Sequence, residues 1–284
     1  MIKRGFSVEP HFYHREGGSI EELESWGVNL VRLHLIEGYR TLEQGYSDAM
    51  RIALDAFARG SDIKFLWNIR MECSCDYRAH LAWWQEKIKW IDILPNTWGY
   101  DVVNEPQEPQ DKSMPQWRAV MPTFHQAMRH MTDKYLVFQT GHYGTDSAFE
   151  HIVPFGDEKT VYACNIYTPW LWTSQGLNKG GKTGKPFPTD LEREIREEKA
   201  RLLHFRDKWP DANLMVPELG LSKHIPDEDA ERWLDTLLPI LEDSGISWCW
   251  HVYPGERNRP PRERLKHYFA LNSQRNPVHD SGHS

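Results

Sequence analysis

Tyr100-Asp101-Val102-Val103-Asn104-Glu105-Pro106 is a short apolar run that ends in a carboxylate and a proline. Such a run reads as a buried strand, and Pro106 stops it because proline has no amide to give to a ladder. Glu105 is thereby placed at a strand tip. Leu214-Met215-Val216-Pro217-Glu218-Leu219-Gly220 is built the same way and sets a second carboxylate, Glu218, at another tip. Upstream of the first, strands and helices alternate. Gly5-Phe6-Ser7-Val8 reads as a strand, and Ser19-Ile20-Glu21-Glu22 is a capping box opening a helix that Gly27 closes. Strands over 28–35 and 63–69 flank a helical pattern from Tyr46 to Arg59, and a tryptophan-bearing helix over 77–94 leads into the quoted stretch.

Downstream the alternation continues. A capping box at Ser113-Met114-Pro115-Gln116 opens a helix to about Met131, Tyr135–Gln139 is strand five, and a short helix near 148–152 precedes strand six, Thr160–Tyr167. Thr189-Asp190-Leu191-Glu192 caps a long charged helix to about Trp209, and strand seven ends at Glu218. Asp227–Asp243 is helical, Ile246–Tyr253 is strand eight, and Arg262–Leu271 closes the chain. Short connections in a strand–helix alternation imply parallel strands with right-handed crossovers. Eight such units make an α/β chain that closes most naturally into a (β/α)8 TIM barrel, with an open doubly wound sheet as the alternative. No linker interrupts residues 1–284, so a single catalytic domain is expected, with a frayed tail after about residue 277.

Composition narrows the partners. A net charge of −7 with acids and bases intermixed argues against nucleic acid and anionic membranes, and no stretch of 18 apolar residues offers a span. A polyanionic substrate is not expected. Thirteen tryptophans supply more flat aromatic surface than a core of this size requires, which suits stacking on sugar rings. The start, Met1-Ile2-Lys3-Arg4-Gly5-Phe6, lacks the apolar segment of a secretory signal, so an intracellular chain, or one already trimmed, is expected. Four cysteines are too few and too irregular for a disulfide framework. Cys73-Ser-Cys75 with His80 does not have the spacing of the usual metal sites and reads as a loop with two thiols.

In a barrel the chemistry sits at the C-terminal ends of the strands, where the residues here are Arg32, Asn104, Glu105, Tyr167, Glu218 and Trp250. Two carboxylates with those neighbours suit glycoside hydrolysis, in which one acid stays protonated and the other ionised. Arg32 and Tyr167 beside Glu218 would hold it ionised, and the proximity of the two acids would raise Glu105. The chain also resembles glycoside hydrolase family 5, of clan A, the cellulase-like retaining β-glycanases. Lys3-Arg4-Gly5-Phe6 is similar to that family's first-strand entry and Gly27-Val28-Asn29-Leu30-Val31-Arg32 to its second-strand arginine motif. Asn104-Glu105-Pro106 resembles the acid/base motif, Pro217-Glu218-Leu219-Gly220 the nucleophile motif, and Trp250 the last-strand tryptophan. The resemblance implies retention, with Glu105 as acid then base and Glu218 as nucleophile. It further implies that Asn104 holds the sugar 2-hydroxyl, that Arg32 and Tyr167 orient Glu218, and that Trp250 floors the bond-breaking subsite.

Two positions depart from the family pattern. Asn165-Ile166-Tyr167 stands where a His-x-Tyr is usual, and Trp67-Asn68-Ile69-Arg70-Met71-Glu72 has no histidine after strand three. His34, His142 and Arg70 are candidates to fill those places. Trp170 and Trp172, in a loop similar to one that borders the cleft in some members, read equally as sugar platforms and as pins for a long loop. Gly176-Leu177-Asn178-Lys179-Gly180-Gly181-Lys182-Thr183 matches the phosphate-loop pattern but is read as a mobile cleft loop. The pattern needs a helix to follow at once, and Gly184-Lys185-Pro186-Phe187-Pro188 forbids one. The reading is a retaining β-glycosidase that needs no metal or organic cofactor, acts as a monomer, and cleaves an oligo- or polysaccharide, foremost β-1,4-glucan. Mannan, xyloglucan or exo-acting specificity on the same fold remains open, as does a barrel that binds glycan without cutting it.

Overall fold

A computed structural model describes residues 2–38, 41–72, 75–107, 116–177, 181–254 and 262–274. Eight strands, β1 (Arg4–Val8), β2 (Leu30–Ile36), β3 (Lys64–Arg70), β4 (Thr97–Asp101), β5 (Tyr135–Gln139), β6 (Thr160–Ala163), β7 (Asn213–Leu219) and β8 (Ser247–His251), form a closed barrel in sequence order. Every pairing is parallel, and β1 meets β8 with Phe6 opposite Trp250, so the sheet has no edge. That closure excludes the open doubly wound sheet. The chain is a (β/α)8 barrel.

The helices are α1 (Pro10–Arg15), α2 (Ile20–Ser25), α3 (Leu42–Ala58), α4 (Tyr77–Ile91), α5 (Trp117–Arg129), α6 (Gly141–Gly144), α7 (Trp170–Thr173), α8 (Leu191–Lys208), α9 (Asp227–Asp243) and α10 (Arg262–Gln274), with a 3-10 turn at Asp146–His151. Local chemistry sets their starts. The Ser19 hydroxyl accepts the Glu22 amide at 3.0 Å, and Gly27 takes φ 79° just after α2. Helix α3 begins at Leu42, not at Tyr46, because Thr41 and Gln44 form a reciprocal capping box with both bonds at 3.2 Å. Asp190 makes no side-chain cap to α8. The box expected at residues 113–115 lies outside the described residues.

Strand alternation sorts the side chains into two cores. Leu30, Leu66, Val137, Val161, Ala163, Met215 and Cys249 fill the barrel, with Trp98 and Tyr135 stacked 4.7 Å apart against them. Residues of opposite phase, such as Phe6, Val31, Leu33, Phe65, Trp67, Trp248 and Trp250, belong to the larger core shared with the helices. The strands approach closely at β1, where a Cβ on Gly5 would fall 1.6 Å from the Leu30 carbonyl oxygen.

The strands end earlier than the sequence suggests. Strand β4 stops at Asp101, four residues before Glu105, because the chain then divides its bonds. The Val102 amide donates to the Val137 carbonyl on β5, and the Asn104 amide to the Ile69 carbonyl on β3. Strand β6 stops at Ala163, leaving Ile166 in an isolated bridge to Leu219. Strand β8 stops at His251 rather than Tyr253.

Candidate active site

The inward phase continues past the barrel core to the C-terminal mouth. Leu30 is followed by Arg32 and then His34, Leu66 by Asn68 and Arg70, Val137 by Gln139, and Cys249 by His251. On β7 the register shifts between Val216 and Leu219, which brings Glu218 inward although simple alternation from Met215 would turn it out.

Arg32 is the hub of this layer and is fully buried. Its guanidinium donates to Asp101 Oδ2 at 2.8 Å, Ser7 Oγ at 3.0 Å, Asn104 Oδ1 at 2.5 Å and Glu218 Oε1 at 2.8 Å. Gln139 extends the web, giving its amide N–H to Asp101 Oδ2 at 2.8 Å and accepting the Glu105 backbone N–H at 2.9 Å. The two glutamates are thus joined through one buried hydrogen-bonded frame. Removal of Arg32 would leave two buried carboxylates unpaired, at a cost on the order of 3–5 kcal/mol.

Glu105 stands just outside the barrel at φ 44°, a left-handed conformation that is rare for a residue with a Cβ. The Gln139 bond holds it there. Its Oε1 accepts from Asn165 Nδ2 at 3.3 Å, and Oε2 faces Arg70 Nη1 at 3.3 Å. Asn165 is held by its own amide, which donates to the Gly144 carbonyl at 2.8 Å. Gly144 takes φ +72°, and a Cβ on it would come 3.1 Å from Gln139 Oε1.

Glu218, 4% exposed, accepts from Arg32 on Oε1 and from the Tyr167 hydroxyl on Oε2 at 3.0 Å. His34 Nδ1 lies 3.4 Å from Oε1 and His251 Nδ1 3.9 Å from Oε2. The two acids are therefore in opposite environments. Burial first, and then the charge of Glu218, raise Glu105 to about 7. Burial would raise Glu218 as well, but His251 and Arg32 outweigh it and hold that carboxyl well below the usual range. Burial also keeps the Tyr167 phenol protonated and so a donor. Near neutrality one acid keeps its proton while the other is an anion.

Both open onto one cleft of about 730 Å³, lined by His34, Arg70, Tyr167, Trp170 and His251 among others. A larger groove of about 890 Å³ between α8 and α9 lies away from both glutamates, among Arg193, Arg196, Arg232 and their acidic partners.

Of the residues singled out in the sequence, Arg32, Asn104, Glu105, Tyr167, Trp170 and Glu218 come together here. Asn104 is fully buried, with its Oδ1 on Arg32 and no partner for Nδ2 among the described residues. Two tryptophans are not in the cleft. Trp250 is fully buried because it has the phase of Trp248 and points into the helical shell, so His251 takes the mouth position on β8. Trp172 is 4% exposed and packs edge-on against Phe187 at 5.4 Å, which makes it the pin of the loop. The side chain of His142 and residue Cys73 lie outside the described residues. The phosphate-loop match falls partly outside them, and no helix begins in residues 181–190. Asp101, Gln139, Asn165 and His251 are the site residues that sequence reasoning missed. Each is a polar residue in or just beyond an apolar strand, and inward phase counted from Val137 and Cys249 places Gln139 and His251 at the mouth.

Trp170, 51% exposed and T-shaped to Tyr167 at 5.7 Å, lines the cleft. Trp170→Ala is expected to raise KM by about 3- to 10-fold and leave the melting temperature unchanged. Trp172→Ala is expected to cost about 3–5 kcal/mol of stability in urea unfolding, because it empties a buried indole site.

In sequence comparisons no protein-family model matches the chain, and no curated protein matches it either. Solved structures do. Cellulose synthase subunit Z of Clostridioides difficile superposes with a TM-score of 0.75 at 14% identity, over 93% of this chain and 98% of that one. Endoglucanase Cel5A of the hyperthermophile Thermotoga maritima gives 0.72 at 16% identity, over 90% and 91%. A broad-specificity GH5-4 endoglucanase of Clostridium cellulovorans gives 0.69 at 14% identity, over 95% and 93%. These likenesses show the fold: the chain carries the same (β/α)8 barrel as these proteins.

Proposed function

We propose that the chain is a retaining glycoside hydrolase of family 5 that cleaves β-glycosidic bonds, foremost in β-1,4-linked glucan. The observation that carries this is the opposed pair of glutamates, one held protonated to about pH 7 and one held ionised, facing one cleft. Glu105 donates its proton to the leaving oxygen while Glu218 Oε2 attacks the anomeric carbon and forms a glycosyl-enzyme. Glu105, now a carboxylate, takes a proton from water, the water releases the sugar, and the anomeric configuration is kept. Arg32 and Tyr167 fix the attacking carboxylate, and Gln139 and Asn165 fix the donor.

The neighbours support this choice of substrate. Cel5A of Thermotoga maritima has been solved with cellobiose and with mannotriose, and the fold shared with it makes glucan and mannan the first polymers to test. Reducing ends released from β-glucans, mannans, xyloglucan and aryl β-glycosides test the reading. Release from β-1,4-glucan is expected. Cleavage of mannan alone would reassign the sugar, and binding without cleavage of any member would sink the enzyme.

A further inference from the structure

His34 lies on β2 two residues beyond Arg32 and shares its inward phase. It lines the cleft beside Glu218 and is 2% exposed. Its Nδ1 stands 2.8 Å from Arg32 Nη1. A guanidinium has donors only, so Nδ1 must be the acceptor of that pair. In the neutral ring the proton then resides on Nε2. The ring is neutral because burial, and then the charge of Arg32, push its pKa down to about 3. The other arrangement, an Nδ1 proton given to Glu218 Oε1 at 3.4 Å, would set two donors face to face at the shorter distance to Arg32.

Nε2–H is therefore a donor of fixed direction, buried, with no partner among the described residues. A buried donor left unmade carries a penalty, and a site retains one where a ligand brings the acceptor. His34 lines the cleft, and with Nδ1 committed to Arg32 the cleft is the side from which an acceptor for Nε2–H can be brought. We propose that His34 is a substrate-positioning residue whose Nε2–H donates to a hydroxyl oxygen of the sugar bound against Glu218. This rests on the glycosidase reading above and deepens it. Because Arg32 Nη1 also donates to Glu218, one guanidinium sets both the nucleophile and the hydroxyl donor, so the two keep a constant separation.

Aryl β-glycosides that lack one sugar hydroxyl at a time test the assignment. In the wild type, removal of the hydroxyl that faces His34 is expected to lower kcat/KM by about tenfold. His34→Ala is expected to lose a similar factor on the parent glycoside and then show no further loss at that one position, with wild-type sensitivity at the others. His34→Gln, whose amide oxygen can accept from Arg32 while its NH2 donates outward, is expected to restore part of the activity and of the discrimination. Should the alanine variant fail to melt cooperatively, His34→Asn carries the same test, since its shorter amide does not reach the sugar. Wild-type sensitivity at every position in the His34→Ala or His34→Asn enzyme would overturn the proposal alone. A wild type that cleaves none of the glycosides would overturn the proposal and the glycosidase reading together.

Discussion

Glu218→Ala is expected to lower kcat by about 10⁴-fold or more on every substrate while the protein still folds, because it removes the group that attacks the anomeric carbon. The folding half of this follows from the buried charges. Arg32 keeps Asp101 as a contact partner at 2.8 Å when Glu218 is gone, so no unpaired guanidinium is created. The alanine leaves space beside the anomeric carbon. Azide added at high concentration is expected to enter it, restore turnover on an activated aryl glycoside, and yield the glycosyl azide of inverted configuration. Thermal unfolding and product analysis check both statements. Loss of less than about tenfold in kcat would mean that Glu218 is not the nucleophile.

Glu105→Gln is expected to divide substrates by leaving group. With a phenol that leaves without a proton, the first chemical step survives. With a sugar alcohol as leaving group, the rate falls by about 10²- to 10⁴-fold, the usual contribution of general acid catalysis. The pH profile carries the same information. Glu105 is raised to about 7 by burial and by Glu218, and it must be protonated to act. In the wild type kcat/KM on natural substrates therefore falls as pH rises through about 7. Glu218 is held below the ordinary carboxylate range and must be ionised, so the acidic limb lies lower than that of a free carboxylate. In Glu105→Gln the alkaline limb disappears. Because the two acids interact, both limbs belong to the pair rather than to either residue.

The barrel is legible in the sequence because its signals repeat. Each strand is an apolar run punctuated by Gly, Pro or a cap, and eight repeats leave little choice but closure. The two glutamates were legible for the same reason, since an acid after an apolar run is exceptional. What was not legible was side-chain phase. Trp250 and His251 are neighbours on β8, and only the inward Cys249 shows that the histidine faces the cleft and the tryptophan the helices. At Glu218 the opposite hazard operates, because the register shift after Val216 puts inward a residue that strict alternation would have turned out. Asp101 was hidden in a third way. An aspartate within Tyr100–Val103 reads as a flaw in an apolar strand until Arg32, distant in sequence, meets it at 2.8 Å. The loop tryptophans divided, Trp170 to the cleft and Trp172 to Phe187, and no periodicity in a four-residue helix separates those outcomes.

These assignments meet in one claim, that Glu218 forms a covalent bond to the sugar. An activated 2-deoxy-2-fluoro-β-glycoside slows both steps by destabilising the cation-like transition state, and its good leaving group lets the first step outrun the second. Peptide mass spectrometry after incubation is expected to find a single glycosyl group on Glu218, with activity returning as the label is hydrolysed. A label on another residue, or an intact protein whose wild-type hydrolysis product emerges with inverted anomeric configuration, would contradict the account.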